Sequence, residues 1–218
     1  MSPPPIPSIK AGERAVISGR TGSGKSALGA YFLNRSRQHW IILNPKHTAA
    51  YRDLPGVNVL QGFDARKVNK SIESHQFTCI NFTGEESNPA FMDGVIAWLC
   101  ENYTNIGVCC DELYTLHTRG NPGPGLIALL TRGRELKQSF LGMTQRPAWI
   151  SVFTYSEASY IIGMDLTTPA DRKRLYENTG EAGFLKRLSA YYWRFYNVGN
   201  DAATFWGPVP LLKTTEAS

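Results

Sequence analysis

The sequence predicts an α/β fold built on a mostly parallel sheet, with helices on both faces and an antiparallel edge. Short and nearly continuous apolar runs alternate with segments whose apolar residues recur at helical spacing, which is typical of strand–helix–strand units. The predicted strands are residues 14–19, 40–44, 77–82, 106–112, 139–145, 158–164 and 190–198. The predicted helices are residues 26–36, 89–103 and 126–137. Neighbouring strand-like runs in the C-terminal half predict the antiparallel edge.

The chain length suits a single domain. Its 218 residues, 42% of them hydrophobic and 19% charged, are enough for one sizeable α/β domain with a packed core. Residues 1–10 are proline-rich and are expected to form an extended arm, and residues 212–218 are expected to form a polar tail. Residues 11–211 then form the one domain.

The composition indicates which classes of protein the chain can belong to. No apolar run approaches the roughly 18 residues that span a bilayer, and the first residues lack the layout of a signal peptide, so we expect a soluble intracellular protein without a transmembrane segment. The four cysteines form no CxxC pair and the four histidines show no ligand spacing, which favours reduced core cysteines over a metal or redox site. The net charge of +5 suits a polyanionic partner but does not identify one.

A glycine-rich segment joins the first strand to the first helix. Gly19–Ser26 reads GRTGSGKS and fits the pattern GxxxxGKS in the strand-to-helix context that this pattern requires. Glycines let backbone N–H groups turn toward phosphate oxygens, and the helix directs its positive end at the anion. Lys25 can follow the β- and γ-phosphates of ATP, and Ser26 offers a hydroxyl to Mg²⁺. The expected ATP-binding residues are Gly19, Thr21, Gly22, Ser23, Gly24, Lys25, Ser26 and Ala27.

Two carboxylates end the strand at residues 106–112. Because ligands of a parallel sheet bind beyond the carboxyl ends of its strands, Asp111 is placed to hold Mg²⁺ through water and Glu112 to accept a proton from the attacking water. A kinase must exclude that water, so the adjacent glutamate favours hydrolysis. Thr144–Pro147 follows the next strand, where Gln145 would orient the water or sense phosphate loss, although such a segment can also be an ordinary turn.

The combination of motifs resembles the FtsK–HerA superfamily of DNA-pumping P-loop ATPases. GRTGSGKS, the strand-ending CCDE and LGMTQRP occur in the order typical of this superfamily, and the resemblance covers roughly residues 14–185. Residues 43–57 are similar to its DPK segment, with Asn44 in place of the usual aspartate. Residues 133–147 align without gaps and place Arg134 at the arginine that acts on a neighbouring subunit's nucleotide. Read without the resemblance, this basic group favours a solvated face over an arginine that acts on a neighbouring nucleotide; its members are Arg132, Arg134 and Lys137.

The short chain makes it most similar to the small genome-packaging ATPases of membrane-containing icosahedral viruses. This resemblance implies a RecA-like motor that hydrolyses ATP with Mg²⁺ and assembles into a ring, which we expect to be a hexamer. It implies double-stranded DNA as the partner, moved into a preformed capsid, with capsid or virion vertex proteins as further partners. The expected locations are the host-cell cytoplasm and the packaging vertex of the virion.

Other functions stay open at this point. A P-loop kinase acting on a small molecule would need an arginine-bearing lid, for which only residues 172–174 are available. A phage assembly or export ATPase that does not move double-stranded DNA usually has a membrane span, and a nucleotide-dependent structural protein would not need Glu112. DNA-stimulated ATP hydrolysis would separate the motor from the kinase.

The segment that follows the acid pair is a candidate for gripping DNA. Residues 117–125 contain three glycines and two prolines, which predict an exposed loop rather than a regular helix or a central strand. Arg119 could pair with DNA phosphate there. The alternatives are a surface loop without a partner, or DNA contacts at residues 172–174 and 186–187.

Overall fold

The computed structural model describes residues 8–118 and 120–210. Its strands are β1 (Arg14–Ser18), β2 (His39–Leu43), β3 (Val57–Gln61), β4 (Phe77–Asn81), β5 (Ile106–Cys110), β6 (His117–Thr118), β7 (Asn121–Pro122), β8 (Ser139–Thr144), β9 (Tyr160–Gly163), β10 (Trp193–Asn197) and β11 (Ala202–Trp206). Its α-helices are α1 (Lys25–Asn34), α2 (Ala49–Arg52), α3 (Ala65–Ser74), α4 (Pro89–Asn102), α5 (Pro124–Arg132), α6 (Val152–Ser156) and α7 (Pro169–Thr179).

Nine strands form one sheet in the order β11-β10-β9-β1-β8-β5-β2-β4-β3. All neighbouring strands from β9 to β3 pair in parallel. Strand β1 lies between β8 and β9, and strand β5 lies between β2 and β8. Strand β10 runs antiparallel to both β9 and β11. The predicted fold class is therefore confirmed, including the antiparallel edge formed by the C-terminal strands.

Side chains of the central strands alternate between two apolar cores, one on each face of the sheet. Val16 of β1 points into one core, and its neighbours Ala15 and Ile17 point into the other. Helices α4 and α5 cover the first face, where Leu99 and Leu129 are fully buried. Helices α1 and α2 cover the second face. Because both faces are covered, the central strands consist of nearly continuous apolar residues, which is the pattern that made them predictable.

Several elements carry too weak an apolar pattern to be predicted from the sequence. Helix α3 buries only Val68 and Ser71, and its start is stabilised by Asp64, whose carboxylate accepts hydrogen bonds from the amides of Arg66 and Lys67. Helix α7 is similarly polar, and β11 is a largely exposed edge strand. Helices α2 and α6 are short, and β3 is only partly buried. These elements are short, mostly polar or only partly buried, so they lack the apolar runs that predict the central strands and the buried helices.

The segment at residues 117–125 holds more regular structure than predicted. Strands β6 and β7 pair in a short antiparallel ladder. Helix α5 already begins at Pro124, and proline is tolerated at the first position of a helix. The prediction that no helix could include these residues is therefore wrong at their C-terminal end. Three of the predicted features lie outside the described residues: Arg119, residues 1–7 of the expected arm, and the expected tail at 212–218. Ile9, at the end of the expected arm, is buried against the second core.

None of the described helices combines the length and apolar character needed to cross a membrane. All four cysteines are buried and unbridged. They are shared between the two cores, with Cys79 and Cys109 in one and Cys100 and Cys110 in the other.

Candidate nucleotide-binding site

The sheet order brings the polar segments predicted from the sequence to one edge. The glycine-rich loop leaves the carboxyl end of β1, Gln145 leaves the adjacent β8, and Asp111 and Glu112 leave β5 on the far side of β8. Parallel strands place all these ends at the same edge, where ligands of α/β sheets bind. They line a cleft of about 390 Å³.

The loop conformation depends on its glycines. Gly22 and Gly24 have φ angles of 75° and 100°, which side-chain-bearing residues rarely adopt. A Cβ atom at Gly19 would lie 2.6 Å from the hydroxyl of Ser23, so this position has no room for a side chain. Gly24 is also the N-cap residue that precedes α1, and it has no side chain to cap the helix. The first-turn N–H groups of α1 are therefore available to an anion in the cleft.

Lys25 supplies the cation of the loop. It is only 7% exposed, and its ammonium donates a hydrogen bond to the carbonyl of Arg20 at 3.1 Å. Burial lowers the pKa of Lys25, against the opposite effect of the nearby carboxylates of Glu112 and Asp111. The ammonium has three N–H donors, and one hydrogen bond is found among the described residues. A phosphate oxygen in the cleft would be a further acceptor.

Asp111 is held by three hydroxyl groups. Its Oδ1 accepts hydrogen bonds from Ser26 at 3.2 Å and from Tyr51 at 3.0 Å, and its Oδ2 accepts one from Thr48 at 2.7 Å. Ser26 and Asp111 thus present two hard oxygen donors side by side at the start of α1. This donor set fits Mg²⁺, which prefers one or two protein oxygens together with water and phosphate.

Glu112 has two unlike carboxylate oxygens. Its Oε1 accepts hydrogen bonds from the ammonium of Lys46 and, at 3.0 Å, from the amide of Gln145. Its Oε2 is buried without a partner among the described residues. The amide oxygen of Gln145 accepts a hydrogen bond from the Thr21 hydroxyl at 2.7 Å, which links the glycine-rich loop to the acid. A carboxylate with one anchored and one unpaired oxygen can orient and deprotonate a water molecule.

An ion-pair cluster anchors the outer part of the loop. The Arg20 side chain donates to Asp165 at 2.6 Å, and Arg187 donates two hydrogen bonds to the same carboxylate at 2.9 and 2.7 Å. Hydrogen bonds from Arg187 and then from Arg20 lower the pKa of Asp165 to about 2. The amide of Arg20 also donates to the carbonyl of Asp165. The residues that follow β9 therefore hold the loop in place.

Arg134 lies far from this cleft. It is an exposed residue between α5 and β8, at the amino edge of the sheet, where it lines a separate cleft of about 860 Å³ with Lys10, Arg14 and Glu157. Strand β8 has six residues and so separates the two edges by about 20 Å. Within one chain, the structure does not bring Arg134 to the other predicted site residues.

Four site residues were not predicted to act there: Lys46, Thr48, Tyr51 and Tyr191. The first three lie in the segment after β2, whose position is stabilised by Asn44. The Asn44 side chain donates to Asn81 at 2.9 Å and accepts from the Thr48 amide at 2.8 Å. The resemblance of residues 43–57 to the DPK segment assigns no role to Lys46. No local signal marks Tyr191, because its place in the cleft depends on the order of the strands.

Comparisons with known proteins agree with this geometry. No family model matches the chain. The DNA packaging ATPase P9 of Enterobacteria phage PRD1 is 26% identical over 211 residues, which cover 91% of this chain and 88% of P9. The DNA-packaging ATPase B204 from Sulfolobus Turreted Icosahedral Virus superposes with a TM-score of 0.73 at 21% identity, over 93% of this chain and all of B204.

Two further solved structures share the fold. The genome packaging NTPase B204 from Sulfolobus turreted icosahedral virus 2, in complex with AMPPCP, has a TM-score of 0.66 at 18% identity over 90% of this chain and 98% of its own. VirB4 of Thermoanaerobacter pseudethanolicus has a TM-score of 0.67 at 11% identity over 94% of this chain and 89% of its own. The chain thus has a P-loop NTPase fold and resembles the DNA packaging ATPase P9 over nearly its whole length.

Proposed function

We propose that this chain is an ATP-hydrolysing motor that translocates double-stranded DNA and packages a viral genome into a preformed capsid. The observation that carries the proposal is the convergence of Lys25, Ser26, Asp111, Glu112 and Gln145 at one cleft. The similarity to a phage DNA packaging ATPase over 91% of the chain supports the choice of DNA as the substrate that is moved.

ATP would bind with its phosphates on the glycine-rich loop and the first turn of α1. Backbone N–H groups and the ammonium of Lys25 would bind the β- and γ-phosphates. Ser26 and Asp111 would hold Mg²⁺, which supplies charge neutralisation between the phosphates when bound. Gly19, Gly22 and Gly24 allow the close approach of the backbone that this binding requires.

Hydrolysis would use Glu112 as the general base. A water oxygen attacks the γ-phosphorus, the bond from that phosphorus to the β–γ bridging oxygen breaks, and the water proton passes to the carboxylate of Glu112. ADP and inorganic phosphate leave. Gln145 is positioned to orient the water and to report the loss of phosphate, because it contacts both Glu112 and the loop residue Thr21.

A ring of subunits, which we propose to be a hexamer, would place Arg134 of one subunit at the nucleotide of the next. The separation of Arg134 from the cleft of its own chain supports action between subunits rather than within one. Capsid or virion vertex proteins would then dock the ring at the packaging vertex.

The basic side chains proposed as alternatives are partly committed to structural contacts. Arg172 donates to the carbonyls of Leu166, Thr167 and Leu185, and Arg187 binds Asp165. A kinase lid needs arginines free to close over phosphates. No observation therefore favours the kinase over the motor.

The test is ATPase activity of the purified chain with and without double-stranded DNA, together with a mass measurement of the assembled particle. The motor requires magnesium-dependent hydrolysis that DNA stimulates, and a particle several times the 24.2 kDa chain mass. Lys25→Ala is the control for contaminating ATPases. Hydrolysis that DNA leaves unchanged, or phosphate transfer to a small molecule instead of water, would refute the proposal.

A further inference from the structure

An exposed aromatic ring lies over the glycine-rich loop. Tyr191 precedes β10 and lines the same cleft as Lys25 and Ser26. Its ring is so close to Gly24 that a Cβ atom there would be 2.8 Å from the tyrosine Cδ1. Nevertheless, Tyr191 is 48% exposed, so part of the side chain remains accessible from the cleft.

The backbone of Tyr191 is fixed in an unfavourable conformation. Its φ angle is 67°, in the left-handed region that is strained for a bulky side chain. Two hydrogen bonds maintain it: the Tyr191 amide donates to the Ser23 carbonyl at 3.0 Å, and the Val209 amide donates to the Tyr191 carbonyl at 2.8 Å. Strain of this kind is retained where surrounding contacts impose it, and it is concentrated at functional sites.

The sheet order places Tyr191 and the acids on opposite sides of the loop. In the sequence of neighbours β10-β9-β1-β8-β5, Tyr191 enters β10 on one side of β1, whereas Gln145 and Glu112 leave β8 and β5 on the other. Strands are spaced by about 4.8 Å, so β10 and β5 are roughly 19 Å apart at this edge. The γ-phosphate belongs at the side of Glu112, and the nucleoside end of a bound nucleotide therefore points toward Tyr191.

We propose that the ring of Tyr191 is the platform on which the purine base of the bound nucleotide stacks. This inference rests on the proposed function, since it deepens the description of the same nucleotide site. A partly exposed aromatic ring beside the phosphate-binding loop is a surface on which bases stack, and stacking depends on the face of a base rather than on its hydrogen-bonding edge. Tyr191 thus contributes affinity for purine nucleotides without distinguishing adenine from guanine.

The contact with Tyr191 is a second reason, in addition to the φ angle, why residue 24 is a glycine. A side chain there would occupy the space of the ring and displace the platform. The Ser23 carbonyl, which accepts the Tyr191 amide, belongs to the same loop, so the platform and the phosphate cradle are joined as one unit.

The test compares ligands with and without a base. Calorimetry would measure the affinity of the full chain for magnesium complexes of ATPγS, GTPγS, ADP and inorganic tripolyphosphate. Tyr191→Ala is expected to weaken binding of the three nucleotides about tenfold while leaving tripolyphosphate within about twofold. Tyr191→Phe should bind like the native chain, because stacking does not need the hydroxyl. Tyr176→Ala, at an exposed tyrosine on α7, is the matched control and should change nothing.

Any of the following results would overturn the inference. Equal weakening of nucleotides and tripolyphosphate by Tyr191→Ala would make the ring a structural support of the loop, and unchanged nucleotide affinity would remove it from the site. A tenfold preference of the native chain for ATPγS over GTPγS that Tyr191→Ala abolishes would show that the residue recognises the edge of the base, and stacking would not explain its role. If the native chain binds none of the four ligands, the nucleotide site itself is refuted, whereas tripolyphosphate binding without base dependence refutes only the platform.

Discussion

The ammonium of Lys46 and the amide of Gln145 donate hydrogen bonds to the same carboxylate oxygen of Glu112. The other oxygen of Glu112 is buried and has no partner among the described residues. Lys46 comes from the segment after β2 and Gln145 from the end of β8, so two distant parts of the chain fix one carboxylate. The Lys46 side chain is 46% exposed and lines the same cleft as Lys25, which leaves it free to exchange Glu112 for a phosphate oxygen.

Replacing Lys46 tests this arrangement. Lys46→Met is expected to lower the maximal ATPase rate about tenfold, because Glu112 loses one of the two donors that fix its orientation. It should also weaken the binding of ATPγS more than the binding of ADP, since only ATPγS has a γ-phosphate. Steady-state kinetics and calorimetry measure the two effects. Lys67→Met, at an exposed lysine of α3, is the control; matching losses in both variants would remove Lys46 from the mechanism.

Replacing Glu112 separates binding from hydrolysis. Glu112→Gln is expected to retain ATP but to hydrolyse it about 10² to 10⁴ times more slowly, because an amide cannot take the proton of the attacking water. Single-turnover hydrolysis of radiolabelled ATP, with binding measured in parallel, provides the comparison. Hydrolysis at the native rate would show that another group is the base.

Arg134 is expected to act across a subunit boundary. Rings containing only Arg134→Ala or only Lys25→Ala subunits should be inactive, whereas mixed rings should recover part of the activity at interfaces where an intact Arg134 meets an intact Lys25. ATPase activity of rings verified as mixed by mass measurement tests this. Absence of recovery would count against action in trans, and Arg132, another exposed arginine near the end of α5, would then be examined in the same way.

Arg119 remains a prediction from the sequence for DNA contact. Arg119→Ala should weaken binding to duplexes of different sequence by similar factors, because a phosphate contact carries no sequence information. The logarithmic salt dependence of the affinity should become shallower by roughly one unit of slope for the lost contact. ATPase activity without DNA should be unchanged. If the variant keeps the native affinity for DNA and the native salt dependence, the DNA contact would be assigned to the basic residues at 172–174 or 186–187.

Asp165 makes stability depend on pH in a defined direction. Hydrogen bonds from Arg187 and Arg20 lower its pKa in the folded protein from 3.8 to about 2. A carboxyl whose pKa is lower in the folded state stabilises the fold above its unfolded pKa, and this contribution is lost as the pH falls through the folded pKa. Asp165→Asn should therefore cost about 1 kcal/mol at neutral pH, a modest value because both guanidinium groups are half exposed.

Urea denaturation of the native chain and of Asp165→Asn between pH 2 and pH 7 measures this difference. The gap between their free energies of unfolding should be constant above about pH 5 and should shrink toward pH 2. Lys173→Met, which removes a solvent-exposed i,i+4 pair with Glu177, is the control and should show no such trend. A gap independent of pH would show that the ion pairs do not carry the contribution of Asp165.

Local patterns determined where the chemistry of the site begins. Gly19–Ser26 needs only its own glycines and the adjoining strand and helix to form the loop between β1 and α1, and Asp111 and Glu112 need only to follow a buried strand. The central strands were equally predictable, because burial on both faces requires continuous apolar runs. Elements stabilised by caps or by edge pairing, such as α3, α7 and β11, left no comparable pattern.

The sequence by itself thus determined the fold class and the positions of the glycine-rich loop and the acid pair, since each depends on residues close along the chain. Only the tertiary structure decided which distant side chains meet. Thr21 and Gln145 form a hydrogen bond across 124 positions, and Lys46 reaches Glu112 across 66. Tyr191 covers Gly24, and Arg134 lies at the opposite edge. These relationships follow from the order in which strands pair, which depends on the packing of the whole sheet and is not encoded in any local pattern.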